Sequence, residues 1–137
     1  MDMIGKKALL IIDDEFIILE SLRIQLSRIL EDDIIVEAAS SGEESTEIID
    51  YFYDNNIDLQ VIMSDYNLED VKGTDILTYA HEKFPLSKKI ILTGQFDLKN
   101  IEDFKKNIGL HGCLSKPWGF DLLKETVLNA YEDLKLL

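Results

Sequence analysis

Short apolar runs alternate with helix-like segments along most of this sequence. The segment at 8–12 reads ALLII and the segment at 90–92 reads IIL, with no polar residue in either. A strand with one face in water alternates polar and apolar residues, whereas an uninterrupted apolar strand is buried on both faces. Parallel strands need a long crossover connection, which is usually a helix. The alternation therefore predicts an α/β fold in which helices cover both sides of a parallel sheet.

The periodicity predicts five strands and five helices, joined by right-handed crossovers. The strands are predicted at 8–12, 34–38, 59–63, 90–92 and 111–115. The helices are predicted at 15–30, 41–54, 74–84, 97–107 and 120–136. Five such units match a flavodoxin-like, doubly wound sheet of strand order 2-1-3-4-5. A chain of 137 residues fits one domain over 1–137, with its core at about 6–136.

Two of the predicted helices carry recognisable boundary signals. Ser41 and Glu44 have the spacing of a capping box, so Ser41 is predicted to open the second helix. Thr74 is predicted to cap the third helix, which ends at Pro85 because proline cannot continue a helix. We expect His81 to be exposed on this third helix.

The composition excludes several classes of function. The chain has 27 acidic and 14 basic residues and a formal net charge of −13, so it repels phosphate backbones and direct nucleic-acid binding is not expected. No apolar run approaches the roughly 20 residues of a membrane span, and the N-terminus lacks the features of a signal peptide. We therefore expect a cytoplasmic protein that does not enter a membrane. The single cysteine, Cys113, fits a reducing compartment.

Polar residues stand where four of the predicted strands stop. Asp13 and Asp14 follow the first strand, and Asp65 follows the third. Thr93 ends the fourth strand and Lys116 follows the fifth. The carboxyl ends of parallel strands meet at one edge of the sheet, and ligands bind where the strand order reverses. Here that reversal lies between the first and third strands, so the three aspartates are predicted to meet at a binding site.

This group of side chains can hold a divalent metal and a phosphoryl group. Adjacent carboxylates repel each other unless a cation neutralises them, and Mg²⁺ is a hard ion that prefers oxygen ligands. The alternative for Asp13 and Asp14 is a helix cap, and one of the two is expected to serve as one. Asp65 is also a possible nucleophile, since carboxylates can accept phosphoryl groups. The alternative for Asp65 is a solvated loop residue.

Four stretches of this sequence together resemble a known family. They are LLIIDDE at 9–15, VIMSDYNLEDVKG at 61–73, ILTG at 91–94 and CLSKPW at 113–118. The chain resembles the receiver domain of two-component response regulators over about residues 6–136. The resemblance implies a regulatory domain, not an enzyme, which takes a phosphoryl group from a sensor histidine kinase or a phosphotransfer protein.

The resemblance also implies a role for each residue of the acidic group. Asp65 is implied to be the phosphoacceptor. Asp13 and Asp14 are implied to form the Mg²⁺ pocket, with Asp14 the more direct ligand. Asp65 itself and the backbone carbonyl of Asn67 are implied to complete the protein's share of the metal ligands.

The remaining implied roles concern the reading of the phosphoryl group. Thr93 is implied to supply the switch hydroxyl and Lys116 the amine that pairs with phosphate. The peptide bond between Lys116 and Pro117 is expected to be cis. Asn67 and Gln95 each lie two residues past a site residue and are implied to tune the loss of the phosphoryl group, or else are plain polar loop residues.

The sequence departs from the family pattern at two positions. Cys113 stands where the family usually has a tyrosine or phenylalanine that reports the state of the threonine. We interpret Cys113 as a small buried hydrophobic residue, with a redox role as the less favoured alternative. Glu69 stands where a proline is common. Trp118 either packs under the last helix or docks a partner, and packing is preferred.

The resulting hypothesis is a phosphoryl-controlled switch whose 97–136 face contacts an output domain, a partner protein or a second copy in a homodimer. One alternative is the receiver portion of a longer signalling enzyme, such as a cyclic-nucleotide phosphodiesterase or a hybrid kinase. A metal-dependent phosphohydrolase is less favoured, because Asn67 occupies the place where a second acidic residue is usual in such enzymes. A receiver fold that no longer accepts phosphate is the last alternative.

Overall fold

A five-stranded parallel sheet forms the centre of the molecule, in the order β2-β1-β3-β4-β5. The computed structural model describes residues 5–94 and 108–135. The strands are β1 (Lys7–Ile12), β2 (Ile34–Ala39), β3 (Asp58–Asp65), β4 (Lys88–Thr93) and β5 (Leu110–Ser115). The helices in the described part are α1 (Phe16–Ile29), α2 (Gly42–Asp54), α3 (Gly73–Lys83) and α4 (Phe120–Lys135).

The flavodoxin-like topology and the strand order predicted from the sequence are confirmed. All four pairings of neighbouring strands are parallel. The described helices and strands overlap their predicted ranges and differ from them only near the ends. The predicted helix at 97–107 lies outside the described residues. No helix in the described ranges has the length and apolar character that crossing a membrane requires.

The core has two layers, because successive side chains of a strand point to opposite faces of the sheet. On one face, Leu10 and Ile12 pack with the buried residues of α2 and α3. On the other face, Leu9 and Ile11 pack with the buried residues of α1 and α4. Both faces of β1 are therefore dry, as the uninterrupted apolar run predicted.

The predicted cap of the second helix is confirmed, and that of the third is wrong. The Ser41 hydroxyl oxygen accepts a hydrogen bond from the Glu44 amide at 3.1 Å at the start of α2. The third helix, α3, begins at Gly73, so Thr74 lies inside its first turn. A Cβ atom on Gly73 would lie 1.9 Å from the Asp65 carbonyl oxygen. Only glycine permits this close approach of the helix start to β3, and no side chain caps the helix.

The expectation that His81 is exposed is wrong, because α3 turns it toward a buried lysine. Lys89 lies in β4, is 1% exposed, and places its Nζ 2.7 Å from His81 Nδ1. The Pro85 carbonyl oxygen lies 3.4 Å from the same Nζ. Burial lowers the pKa of Lys89 to about 8. Burial, followed by the charge of Lys89, also lowers the pKa of His81.

We expect the buried amine to make the stability of the fold depend on alkaline pH. The unfolded chain keeps Lys89 protonated up to about 10.5, whereas the folded chain releases this proton at about 8. The free energy of unfolding should therefore rise between these two pH values, by at most about 3 kcal/mol from this group. Urea unfolding at several pH values measures the rise, and Lys89→Met should lack this part of it. Lys124→Met, on the exposed side of α4, is the control that should retain it.

The same alkaline rise in Lys89→Met as in the unchanged protein would contradict this account of the buried amine.

Candidate functional site

The three predicted aspartates meet at the carboxyl edge of the sheet. Ile12 is paired with Ser64 across β1 and β3, so Asp13 and Asp65 leave neighbouring strands at the same level. Asp13, Asp14 and Asp65 each offer a carboxylate oxygen within 4.8 Å of the other two. Asp13 is fully buried, Asp65 is nearly so, and Asp14 is partly exposed. The sequence predicted this meeting because the apolar runs indicated where the strands end and the alternation of strands and helices indicated their order.

Asp13 is hydrogen-bonded through its amide and through both of its carboxylate oxygens. Its amide donates to the Ala39 carbonyl oxygen at 3.2 Å, which ties it to the end of β2. Its Oδ1 accepts from the Glu15 amide at 2.9 Å, at the start of α1. Its Oδ2 accepts from Lys116 Nζ at 2.6 Å. The contact with Glu15 lies in the turn before α1, where Glu15 is the N-cap and no side chain caps the helix, so the expectation that Asp13 or Asp14 serves as a cap is wrong. The other oxygen of Asp13 faces Lys116.

Lys116 brings a cation to the middle of this acidic group. Besides Asp13, its Nζ lies 3.5 Å from Asp65 Oδ2 and 3.9 Å from Glu15 Oε1. The Lys116 amide donates to the Thr93 carbonyl oxygen at 2.7 Å, which fixes the end of β5 beside β4. The peptide bond between Lys116 and Pro117 is cis, as expected. The contact with Glu15 was not anticipated from the sequence.

The charges around Asp65 do not fully stabilise its ionised carboxylate. Burial raises the pKa of Asp65, the charge of Lys116 lowers it, and the charge of Asp13 raises it again, so the net direction is upward. Burial alone lowers the pKa of Lys116, but its hydrogen bond with Asp13 and the charges of the three surrounding carboxylates together outweigh burial and raise it. One ammonium therefore faces more carboxylate charge than it can neutralise.

The geometry fits a small oxygen-seeking ion such as Mg²⁺. The three carboxylates offer hard oxygen ligands on a common patch, and such an ion usually binds through a few carboxylates and keeps several waters. Asp14 is partly exposed, so an ion can reach the group from solvent.

Thr93 and Cys113 occupy adjacent strands behind the acidic group. Thr93 is the last residue of β4, is 3% exposed and is paired with Ser115 of β5. Cys113 is partly buried, pairs with Ile91 and packs against the core layer under α2 and α3. This packing agrees with a small hydrophobic residue at the position. The predicted tuning residue Gln95 lies outside the described residues.

The residues after Asp65 form a tight turn against the site. The Tyr66 amide donates to the Leu92 carbonyl oxygen at 2.8 Å, and Asn67 forms an antiparallel bridge with Lys72. The Asn67 backbone is the last of the influences that lower the pKa of the Asp65 carboxyl, behind the charge of Lys116 and its hydrogen bond. Gly73 closes the turn, since its amide donates to the Tyr66 carbonyl oxygen at 2.8 Å.

Sequence reasoning missed the contact that fastens this turn to α2. Asp70 accepts hydrogen bonds from the Gly42 and Glu43 amides, each at 3.0 Å. These two hydrogen bonds hold the pKa of Asp70 below its usual value. Nothing in the local sequence signals the contact, because its partners are 28 and 27 residues away.

Comparison with known proteins places this geometry in a family. The family model described as the response regulator receiver domain matches residues 9–128. The chain is similar to the hydrogenase transcriptional regulatory protein HoxA of Cupriavidus necator, with 27% identity over 123 residues. The matched region is 90% of this chain and 24% of that protein, so the chain spans about a quarter of the length of this relative.

Two solved structures show the same fold. A response regulator receiver domain protein from Clostridium thermocellum is 34% identical, with 95% of this chain and 98% of the other covered and a TM-score of 0.78. A CheY-like response regulator receiver domain protein from Methanospirillum hungatei JF-1 is 29% identical, with 96% and 98% covered and a TM-score of 0.80. With a family model matched over most of its length, the chain belongs to the response regulator receiver domain family of two-component signalling.

Proposed function

We propose that this domain accepts a phosphoryl group on Asp65 and that the acylphosphate changes its interaction with an output. The observation that carries this proposal is the position of Lys116, which lies 2.6 Å from Asp13 and 3.5 Å from Asp65 in a cluster of three carboxylates. This arrangement provides a nucleophilic carboxylate, a cation for the phosphoryl oxygens and ligands for a metal in one place.

The transfer needs no proton from the nucleophile. An ionised oxygen of Asp65 attacks the phosphorus of a phosphohistidine, a phosphorus–oxygen bond forms, and the phosphorus–nitrogen bond breaks. The electron pair of the broken bond stays on the donor nitrogen. The imidazole leaves neutral if its other nitrogen carries a proton, and otherwise the departing nitrogen takes a proton from solvent. Lys116 then faces the phosphoryl oxygens as well as Asp13, and the Thr93 hydroxyl donates to one of them.

Asp13, Asp14, Asp65 and the Asn67 carbonyl are the proposed protein ligands for Mg²⁺, which receiver domains bind at an acidic pocket. Bound there, the ion supplies positive charge for the equatorial oxygens of the transferred group. Asp13 has one oxygen already committed to the Glu15 amide and the other to Lys116. Asp14 is therefore proposed as the more direct ligand.

The proposed donor is a protein, a histidine kinase or a phosphotransfer protein, and the surface beside the site suits one. Phe16 and Ile17 begin α1, directly after Glu15, and are 73% and 79% exposed. Large apolar side chains this exposed favour contact with a partner. A donor that covers this turn of α1 brings its phosphoimidazole next to the carboxylates.

The proposed output surface is the 97–136 face, of which the structure describes β5 and α4. Leu122 and Leu128 on α4 are 51% and 40% exposed. These side chains support a contact with an output domain, a partner protein or a second copy. An output domain in the same polypeptide agrees with the short share of HoxA that the chain spans.

Phosphoryl transfer to Asp65 is tested with acetyl phosphate as a small donor. With Mg²⁺ present, we expect intact-protein mass spectrometry to show the addition of one phosphoryl group to the unchanged protein. Asp65→Asn should show none, and Asp14→Asn should be labelled more than about tenfold more slowly because a metal ligand is lost. Asp75→Asn, an exposed aspartate in the first turn of α3, should be labelled normally.

Labelling of Asp65→Asn at the rate of the unchanged protein would show that Asp65 is not the acceptor.

The ion pair in the site should also be visible in stability. Without Mg²⁺, Lys116→Met should lower the free energy of unfolding by about 3 kcal/mol, since it leaves the buried Asp13 carboxylate without its cation. Asp65→Asn should be at least as stable as the unchanged protein. The raised pKa of Asp65 means that the folded state disfavours its ionised form at any pH well above 3.8. Urea unfolding measures both changes.

Glu15→Gln is the matched control for this pair, because Glu15 also lies within 4 Å of Lys116 but its side chain is 66% exposed. We expect this substitution to change stability by less than about 1 kcal/mol. An unchanged stability of Lys116→Met would show that the buried ion pair does not hold the site together.

A further inference from the structure

The turn that follows the proposed acceptor is fastened to the first turn of α2 by both oxygens of one carboxylate. Asp70 Oδ1 accepts from the Gly42 amide and Asp70 Oδ2 accepts from the Glu43 amide, each at 3.0 Å. The first amides of a helix have no partner within the helix and carry its positive end, so an anion binds well there. The Ser41 hydroxyl oxygen already accepts from the Glu44 amide. Asp70 therefore provides the acceptors for two further amides at the start of the helix, which Ser41 does not bind.

Apolar packing fits the same two segments together. A Cβ atom on Gly42 would lie 2.3 Å from Val71 Cγ2 and 3.2 Å from Asp70 Oδ1, so the turn occupies the space that a side chain at Gly42 would need. Leu68 is 8% exposed and belongs to the core layer under α2 and α3. The turn therefore contacts α2 through Asp70 and Val71 and the core through Leu68.

The contact of the turn with α2 determines where Asn67 lies. Asn67 is bridged to Lys72, and the Leu68 amide donates to the Val71 carbonyl oxygen at 3.1 Å. Asn67 follows Asp65 by two residues, and its backbone contributes to lowering the pKa of the Asp65 carboxyl. A displacement of Asp70 from α2 would therefore move a residue close to the proposed acceptor, although both oxygens of Asp70 accept from α2.

We propose that Asp70 is a positioning residue for the metal site: by holding the turn on α2, it keeps Asn67 where its backbone can serve Asp65 and the ion. The inference rests on the proposed function, which makes Asn67 a metal ligand. It goes beyond that function because Asp70 contacts neither the ion nor the phosphoryl group. By thermodynamic reciprocity, an ion bound at the site must in turn stabilise the seating of the turn on α2.

Calorimetric titration of the full chain with MgCl₂ tests the positioning role. We expect Asp70→Ala to weaken Mg²⁺ binding by about tenfold, the size usual for residues that orient metal ligands. Asp70→Asn keeps one acceptor oxygen and should fall between Asp70→Ala and the unchanged protein. Glu69→Ala removes the same charge from the neighbouring exposed residue of the turn. It should weaken binding by less than about twofold, since an exposed charge is screened by salt.

A second readout separates positioning from simple helix capping. Hydrogen exchange of the Gly42 and Glu43 amides, followed by NMR, should slow when Mg²⁺ binds to the unchanged protein. In Asp70→Ala these amides should exchange quickly with and without Mg²⁺. Circular dichroism checks that each variant is folded under the conditions of the titration.

The outcomes distinguish this inference from the proposed function. If Asp70→Ala is less stable but binds Mg²⁺ as tightly as Glu69→Ala, then Asp70 is a helix cap only and the inference is overturned. If the unchanged protein does not bind Mg²⁺, or if Asp14→Asn binds it equally well, the metal site of the proposed function is wrong and the inference falls with it.

Discussion

The ammonium of Lys116 is the charge on which the carboxyl edge of this sheet depends. It lies 2.6 Å from Asp13, whose side chain is fully buried, and 3.5 Å from Asp65. A carboxylate taken out of water costs several kcal/mol unless a cation is close. Burial raises the pKa of Asp65 above its usual value, and the charge and hydrogen bond of the same ammonium lower it only in part. The edge is thus stable without a ligand and yet favours further positive charge.

The site is connected to the rest of the fold through a few backbone hydrogen bonds. Lys116 is tied to Thr93 at the end of β4, and Asp13 is tied to the start of α1 through the Glu15 amide. On the other side, the turn after Asp65 reaches α2 through Asp70. The site is therefore hydrogen-bonded to elements of both helical layers.

The sequence predicted the sheet and the meeting of the aspartates because both follow from short-range patterns. An apolar run such as 8–12 identifies a strand buried on both faces, and the strand order then decides which strand ends are neighbours. The start of the third helix was not predicted correctly, because α3 begins at Gly73, packed against the Asp65 carbonyl, and Thr74 does not cap it. Contacts between distant segments, such as Asp70 with the Gly42 amide, depend on packing that no local pattern encodes.

The most direct test of the account is whether the site binds a phosphoryl mimic on Asp65. Beryllofluoride forms a tetrahedral adduct with a carboxylate, and fluorine NMR distinguishes bound from free fluoride. With Mg²⁺ present, we expect one bound adduct per chain in the unchanged protein and none in Asp65→Asn. Only free signals in the unchanged protein at saturating Mg²⁺, or the same bound signals in Asp65→Asn, would contradict it.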